Sequence, residues 1–154
     1  GNIATRLEKA AGFAAIVMAQ AALDRLGLTP AVADVLEPEV LLPQVGQGAL
    51  AIECRTDDTA AATLLASISQ PDAWRAVTAE RAFLAELGAG CDLPVAAHAV
   101  IDHGEIFLTG ALSSFDGTVL LRDSGRSTDG EALGASLARR LRDDQGGGAL
   151  LAQS

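Results

Sequence analysis

Three strand-length runs late in the sequence constrain the fold more than any other feature. Val95 to Asp102, Glu105 to Ser113 and Val119 to Ser127 read as β-strands, and turn dipeptides separate them. His103-Gly104 is a candidate two-residue hairpin loop, and Asp116-Gly117 is a common pair where a positive φ is needed. Links this short join antiparallel neighbours. A helix is expected on either side. Pro71 opens the first, where its missing N–H costs nothing, Trp74, Val77, Leu84 and Leu87 form its apolar stripe, and Gly88 ends it. The second runs from Glu131 to about Arg142, and Gly146 to Gly148 interrupt it before a short apolar tail. The expectation is a compact α+β domain with helices on one face of a three-stranded antiparallel sheet.

The N-terminal part reads differently. A short helix over Thr5 to Ala11 leads into the continuous apolar run Ala14 to Ala19, the form of a strand covered on both faces. A second helix, Gln20 to Leu26, is stopped by Gly27. Helix, strand, helix suits part of an α/β layer and is too short to close one. Pro30, Pro38 and Pro43 then punctuate a connector. Beyond it, Leu50, Ile52 and Cys54 alternate with Ala51, Glu53 and Arg55, the period of a half-buried strand that would aim Cys54 into a core. Thr56 or Asp57 would cap the helix that follows, to about Ile68.

Composition excludes several functions. The chain has 154 residues, 49% of them hydrophobic, enough for a substantial core. Eleven basic residues stand against 20 acidic ones, which argues against nucleic acid or an anionic membrane surface as partner. Cys54 and Cys91 lie far apart, with no CxxC and no histidine at metal-ligand spacing, so neither zinc nor dithiol chemistry is supported and a reducing cytosol fits. No apolar run reaches membrane-spanning length and no secretory signal opens the chain. The start at Gly1, without Met and in a stretch that reads as mid-domain, leads us to expect a piece of a longer protein.

Few residues can carry chemistry. Cys91 sits in GAGCDLP, after a helix and before Pro94, an accessible glycine-flanked loop. Asp92 and the negative end of the preceding helix both disfavour a thiolate there, so any reaction at Cys91 needs a reactive electrophile. Arg6 and Arg25 flank the first apolar run, and their guanidinium groups could clamp carboxylates or simply be solvated. The glycines of Gly46-Gln47-Gly48 allow backbone N–H groups to approach an anion, a weak signal alone. His98 and His103 have no partners at useful spacing and read as structural.

Two long motifs make the residues specific. LLPQVGQGALAIECR (Leu41 to Arg55) and AERAFLAELGAGCDLPVAAHA (Ala79 to Ala99) closely resemble the hydroxymethylbilane synthases, or porphobilinogen deaminases, with GNIATRLEK and ALDRLGL in fitting order. The resemblance covers essentially all of this chain and about the second half of the family's length. It implies two α/β domains like those of periplasmic binding proteins and a third, α+β, domain. Residues 1–43 would be the later part of the second domain, 44–69 a return segment belonging to the first, and 70–154 the C-terminal domain that carries the cofactor.

By that resemblance the complete protein is a cytoplasmic transferase of haem biosynthesis. It condenses four porphobilinogen molecules, with loss of ammonia, on a dipyrromethane held by Cys91 through a thioether. Arg6 and Arg25 match family arginines that bind acetate and propionate side chains, and Gln47 and Gly48 match the turn contacting the pyrrole chain. An azafulvene-like electrophile can be captured by an unactivated thiol, which agrees with the surroundings of Cys91. The family's catalytic aspartate belongs to the N-terminal part, so no catalytic residue is expected here, and that half would be the partner of an otherwise inactive fragment. Asp24 stands where the family commonly has Lys, Asp92 replaces a usual Gln and His98 a usual Tyr. A non-catalytic small-anion binding module and a structural remnant stay open as alternatives. An unmodified Cys91 with retained ligand affinity would mark the first, and without it the second.

Overall fold

The computed structural model describes residues 2–28, 32–88 and 93–152, which form two compact units, 1–37 and 38–154. In the first unit, α1 (Ile3–Lys9) is capped by Asn2, whose side chain accepts from the Thr5 N–H at 3.2 Å. It tightens into a 3₁₀ turn, Ala10–Gly12. Helix α2 (Gln20–Arg25) follows, buries Leu23, and is terminated by Gly27 at φ +68°. The expected strand over Ala14 to Ala19 does not form. A ladder needs a neighbour, and among the described residues no segment pairs with this one, so Val17 is exposed.

The second unit opens with irregular chain. The expected strand Leu50 to Cys54 is also absent, and Cys54 is exposed rather than aimed into a core. Its period-2 pattern is intact, but a pattern makes a strand only where a sheet and a core meet it, and Ile52 is 61% exposed. Helix α3 (Thr59–Ala66) is capped by Asp58, one residue beyond the expected cap, with its carboxylate accepting from the Ala61 N–H at 2.9 Å.

From Pro71 onward the architecture is the one the turns imply. Helix α4 (Pro71–Glu86) precedes strands β1 (Val95–Asp102), β2 (Glu105–Ser113) and β3 (Leu120–Ser127). The strands pair antiparallel in the order β1-β2-β3. His103 and Gly104 take φ +49° and +84°, the two positive values of a type I′ hairpin turn. Helix α5 (Gly130–Arg139) is capped by Asp129 and runs on as a π-helical turn, Arg140–Asp144. Gly146, at φ +81°, redirects the chain into the short α6 (Gly148–Leu151).

Register decides what the sheet buries. Val95, Ala97 and Ala99 of β1 pair with Leu112, Gly110 and Leu108 of β2, and these continue to Leu121, Asp123 and Gly125 of β3. This face packs on α4 and α5 around Phe83, Leu133, Leu137 and Leu141. Glycines make the room: a Cβ on Gly110 would sit 2.6 Å from the Phe83 ring, and one on Gly125 2.9 Å from Leu133. Of the expected apolar stripe of α4, Leu87 is buried and Leu84 packs half-buried against the core, but Trp74 does not join them. Trp74 is 72% exposed, and the helix turns Ala79, Glu80, Phe83 and Leu87 inward. At Ala79 the inward face holds a small residue where α5 approaches most closely, through Gly134.

Candidate cofactor site

The Gly46-Gln47-Gly48 turn is built from the backbone outward. The Gln47 N–H donates to the Gln44 carbonyl at 3.0 Å and the Ala49 N–H to the Gly46 carbonyl at 3.1 Å, with Gly46 at φ +70°. Two longer-range contacts fasten it. The Ala97 N–H on the free edge of β1 donates to the Pro43 carbonyl at 3.2 Å, and the Gly46 N–H donates to Glu80 Oε2 at 2.7 Å. The other oxygen, Glu80 Oε1, accepts from the Ala99 N–H at 2.8 Å.

Glu80 is only 6% exposed, and it is the buried charged side chain among the described residues. A carboxylate there is tolerable because each oxygen accepts from a backbone amide. The turn, α4 and β1 therefore meet at one side chain. A cleft of about 190 Å³ lies against it, lined by Gln44, Gln47, Gly48, Glu80 and His98 among others. Gln47 and Gly48 face solvent. Glu80 was not singled out from the sequence, although the signal existed: with Ala76, Phe83 and Leu87 it falls at i, i+4, i+7 and i+11 on the buried face of α4.

Cys91 and Asp92 lie outside the described residues. The connection that contains them leaves α4 through Gly88, at φ +64°, and returns at Leu93 and Pro94 into β1. The carbonyl of Glu86, in the last turn of α4, accepts from Arg142 Nη1 at 2.8 Å, which ties that end of the helix to the π-helical turn. A cleft of about 380 Å³ opens beside Leu93 and Pro94 on the other side of the sheet, walled by Val40, Leu41, Ala111 and Arg122. Arg122 donates to the carbonyls of Glu39 at 2.6 Å and Pro38 at 3.1 Å, which holds the wall in place.

Arg6 is exposed on α1 and Arg25 exposed in the last turn of α2, both in the first unit. Among the described residues neither guanidinium has a carboxylate partner. His98 lies on β1, half-buried, and His103 in the exposed hairpin turn, 3.6 Å from Asp102. Among the described residues no group of three or more His, Cys, Asp or Glu could hold a metal ion, and no helix is long and apolar enough to cross a membrane.

Comparison with known proteins gives this geometry a family. Residues 1–63 match the model for "porphobilinogen deaminase, dipyromethane cofactor binding domain", and residues 74–143 match "porphobilinogen deaminase, C-terminal domain". The chain belongs to the porphobilinogen deaminase family. It is 45% identical over 155 aligned residues to the porphobilinogen deaminase of Roseiflexus castenholzii, covering 99% of this chain and 51% of that one. Against those of a Nostoc species and of Bacillus pumilus the identities are 42% and 43% over 147 residues, 93% of this chain and 46% and 47% of theirs. The chain spans about half the length of the curated relatives it matches. Arg6, Arg25, Gln47 and Gly48 fall within the cofactor-binding match and Cys91 within the C-terminal one.

Proposed function

We propose that this chain is the C-terminal part of a hydroxymethylbilane synthase, a transferase of tetrapyrrole biosynthesis that joins four porphobilinogen molecules with loss of ammonia. The observation that carries this reading is 45% identity to a porphobilinogen deaminase over 99% of the chain. The donor set suits a dipyrromethane, whose side chains are carboxylates: Arg6 and Arg25 present exposed guanidinium groups, and Gln47 and Gly48 form an exposed turn. When bound, the dipyrromethane supplies the pyrrole terminus to which substrate is joined. Cys91 would hold it by a thioether, Arg6 and Arg25 would neutralise and orient its carboxylates, and Gln47 and Gly48 would line its path.

The domain layout is part of the proposal. Residues 1–43 and 44–69 would belong to two periplasmic-binding-protein-like α/β domains, and 70–154 would be the cofactor-carrying domain. Exposed apolar residues in the segments that read as strands, Val17, Leu50 and Ile52, support it, since a sheet completed by the polypeptide the relatives also contain would cover them. The catalytic aspartate would come from that polypeptide. This chain alone therefore should not turn over porphobilinogen, and its working location would be the cytoplasm.

Mass mapping tests the assignment. In the full-length protein containing this sequence, a pyrrole adduct is expected on the peptide carrying Cys91, and Cys91→Ser should abolish it while folding survives, because nothing local activates a hydroxyl. An adduct on the Cys54 peptide, or attachment persisting in Cys91→Ser, overturns the assignment. Turnover by the purified chain on its own overturns the claim that it is inactive.

A further inference from the structure

We propose that Glu80 is a positioning residue for pyrrole binding, fixing the Gln47-Gly48 turn to the domain that carries Cys91. The inference rests on the proposed function, and its physical basis is the sharing of one buried carboxylate. Oε2 takes the Gly46 N–H and Oε1 takes the Ala99 N–H, at 2.7 and 2.8 Å. The first bond spans 34 residues and enters the turn one residue before Gln47; the second locks the same side chain to the edge of β1. Strand β1 begins four residues after Cys91, and α4, which bears Glu80, ends five before it. Glu80 thus sets the distance between the turn and both elements that frame the cysteine connection.

A carboxylate is required, not just an acceptor. Two N–H donors converge on two different oxygens, and an amide at this position would offer one oxygen and turn an NH₂ toward the remaining donor. Glu80→Gln keeps size and packing and breaks one of the two bonds. Ionised acceptors bond more strongly than neutral ones, so the surviving bond weakens as well. Besides Val45, which packs half-buried against the core, the turn is held by its own short bonds and by the Ala97 to Pro43 hydrogen bond, so it should loosen before the core does.

Two measurements test this. In the chain as described, Glu80→Gln should speed amide exchange across Gly46 to Ala49 by about tenfold while amides of Phe83 and Leu108 change less. In the full-length protein, Glu80→Gln should still load Cys91 yet raise the KM for porphobilinogen by about tenfold, whereas Ile106→Val, which trims the same core, should leave KM unchanged. Unchanged exchange at Gly46, an unchanged KM, or a KM raised equally by Ile106→Val overturns the positioning role. Absence of any pyrrole adduct on unsubstituted Cys91 overturns the proposed function itself, and with it this inference. That outcome is distinct, because it is read before any substitution is made.

Discussion

Gly134 of α5 meets Ala79 of α4 backbone to backbone: a Cβ on Gly134 would collide with the Ala79 carbonyl and lie 2.7 Å from the Phe83 nitrogen. The obstacle is main chain inside a helix, which cannot swing aside as a side chain can. The two helices sit this close because α5 presents glycine to α4, at Gly134 and, less tightly, at Gly130, where an added Cβ would lie 3.2 Å from that of Ala79.

Gly134→Ala should therefore destabilise the C-terminal unit by at least about 1–3 kcal/mol despite alanine's better helix propensity. Gly148→Ala, whose added methyl would find its nearest neighbour at 3.4 Å, should stay within about 0.5 kcal/mol. Chemical denaturation of the two variants checks the contrast, and equal midpoints would refute the close approach.

Cys54 should be a freely reacting surface thiol with no stabilising role. It is exposed on irregular chain, so Cys54→Ala should change stability by less than about 0.5 kcal/mol. Thiol titration with and without denaturant checks this. Slow reaction of Cys54 in the native chain would mean that its side chain is buried after all.

The turn after β2 should weaken only in strong acid. Asp116 accepts from the Ser114 hydroxyl at 2.6 Å, the Thr118 amide at 3.0 Å and the Thr118 hydroxyl at 2.8 Å, which lower its pKa from 3.8 to about 2. Since the folded value lies below the unfolded one, this contribution is fully present above about pH 4 and is lost as pH falls through about 2. Asp123, held down chiefly by its hydrogen bond from Arg140, acts in the same direction. Side-chain carboxyl shifts followed by NMR should show Asp116 titrating near pH 2. Titration near 4 would mean the turn is not made in solution.

Ala14 to Ala19 should exchange their amides far faster than Ile106 to Leu112. The first run has no ladder partner among the described residues, whereas the second lies in the central strand with neighbours on both sides. Mass-resolved hydrogen exchange on the monomer reads both segments at once, and equal protection would show a sheet partner for the first.

The three strands from Val95 to Ser127, both turn dipeptides and the flanking helices were legible in the sequence, because each depends on local rules. A two-residue link fixes antiparallel pairing, Pro71 starts a helix, and glycine takes the positive φ that ends it. Cys91, Gln47 and Gly48 were legible as candidates for another reason: they stand inside long motifs whose order and spacing survive in linear form.

What the sequence alone did not decide was which apolar segments find a partner. Ala14 to Ala19, a continuous apolar run, and Leu50 to Cys54, an alternating one, have the patterns of strands and are not strands here, since a ladder is a property of two segments and its hydrogen bonds need the second one. At Ala79 the inward face of α4 likewise depends on the neighbour, since α5 presents Gly134 to its backbone there, while Trp74, read from the sequence as part of the stripe, stands exposed. Glu80 belongs to the same class. Its carboxylate acquires a role only when Gly46, 34 residues earlier, and Ala99, 19 residues later, bring their N–H groups to its two oxygens, an arrangement made by the packing of helix on sheet.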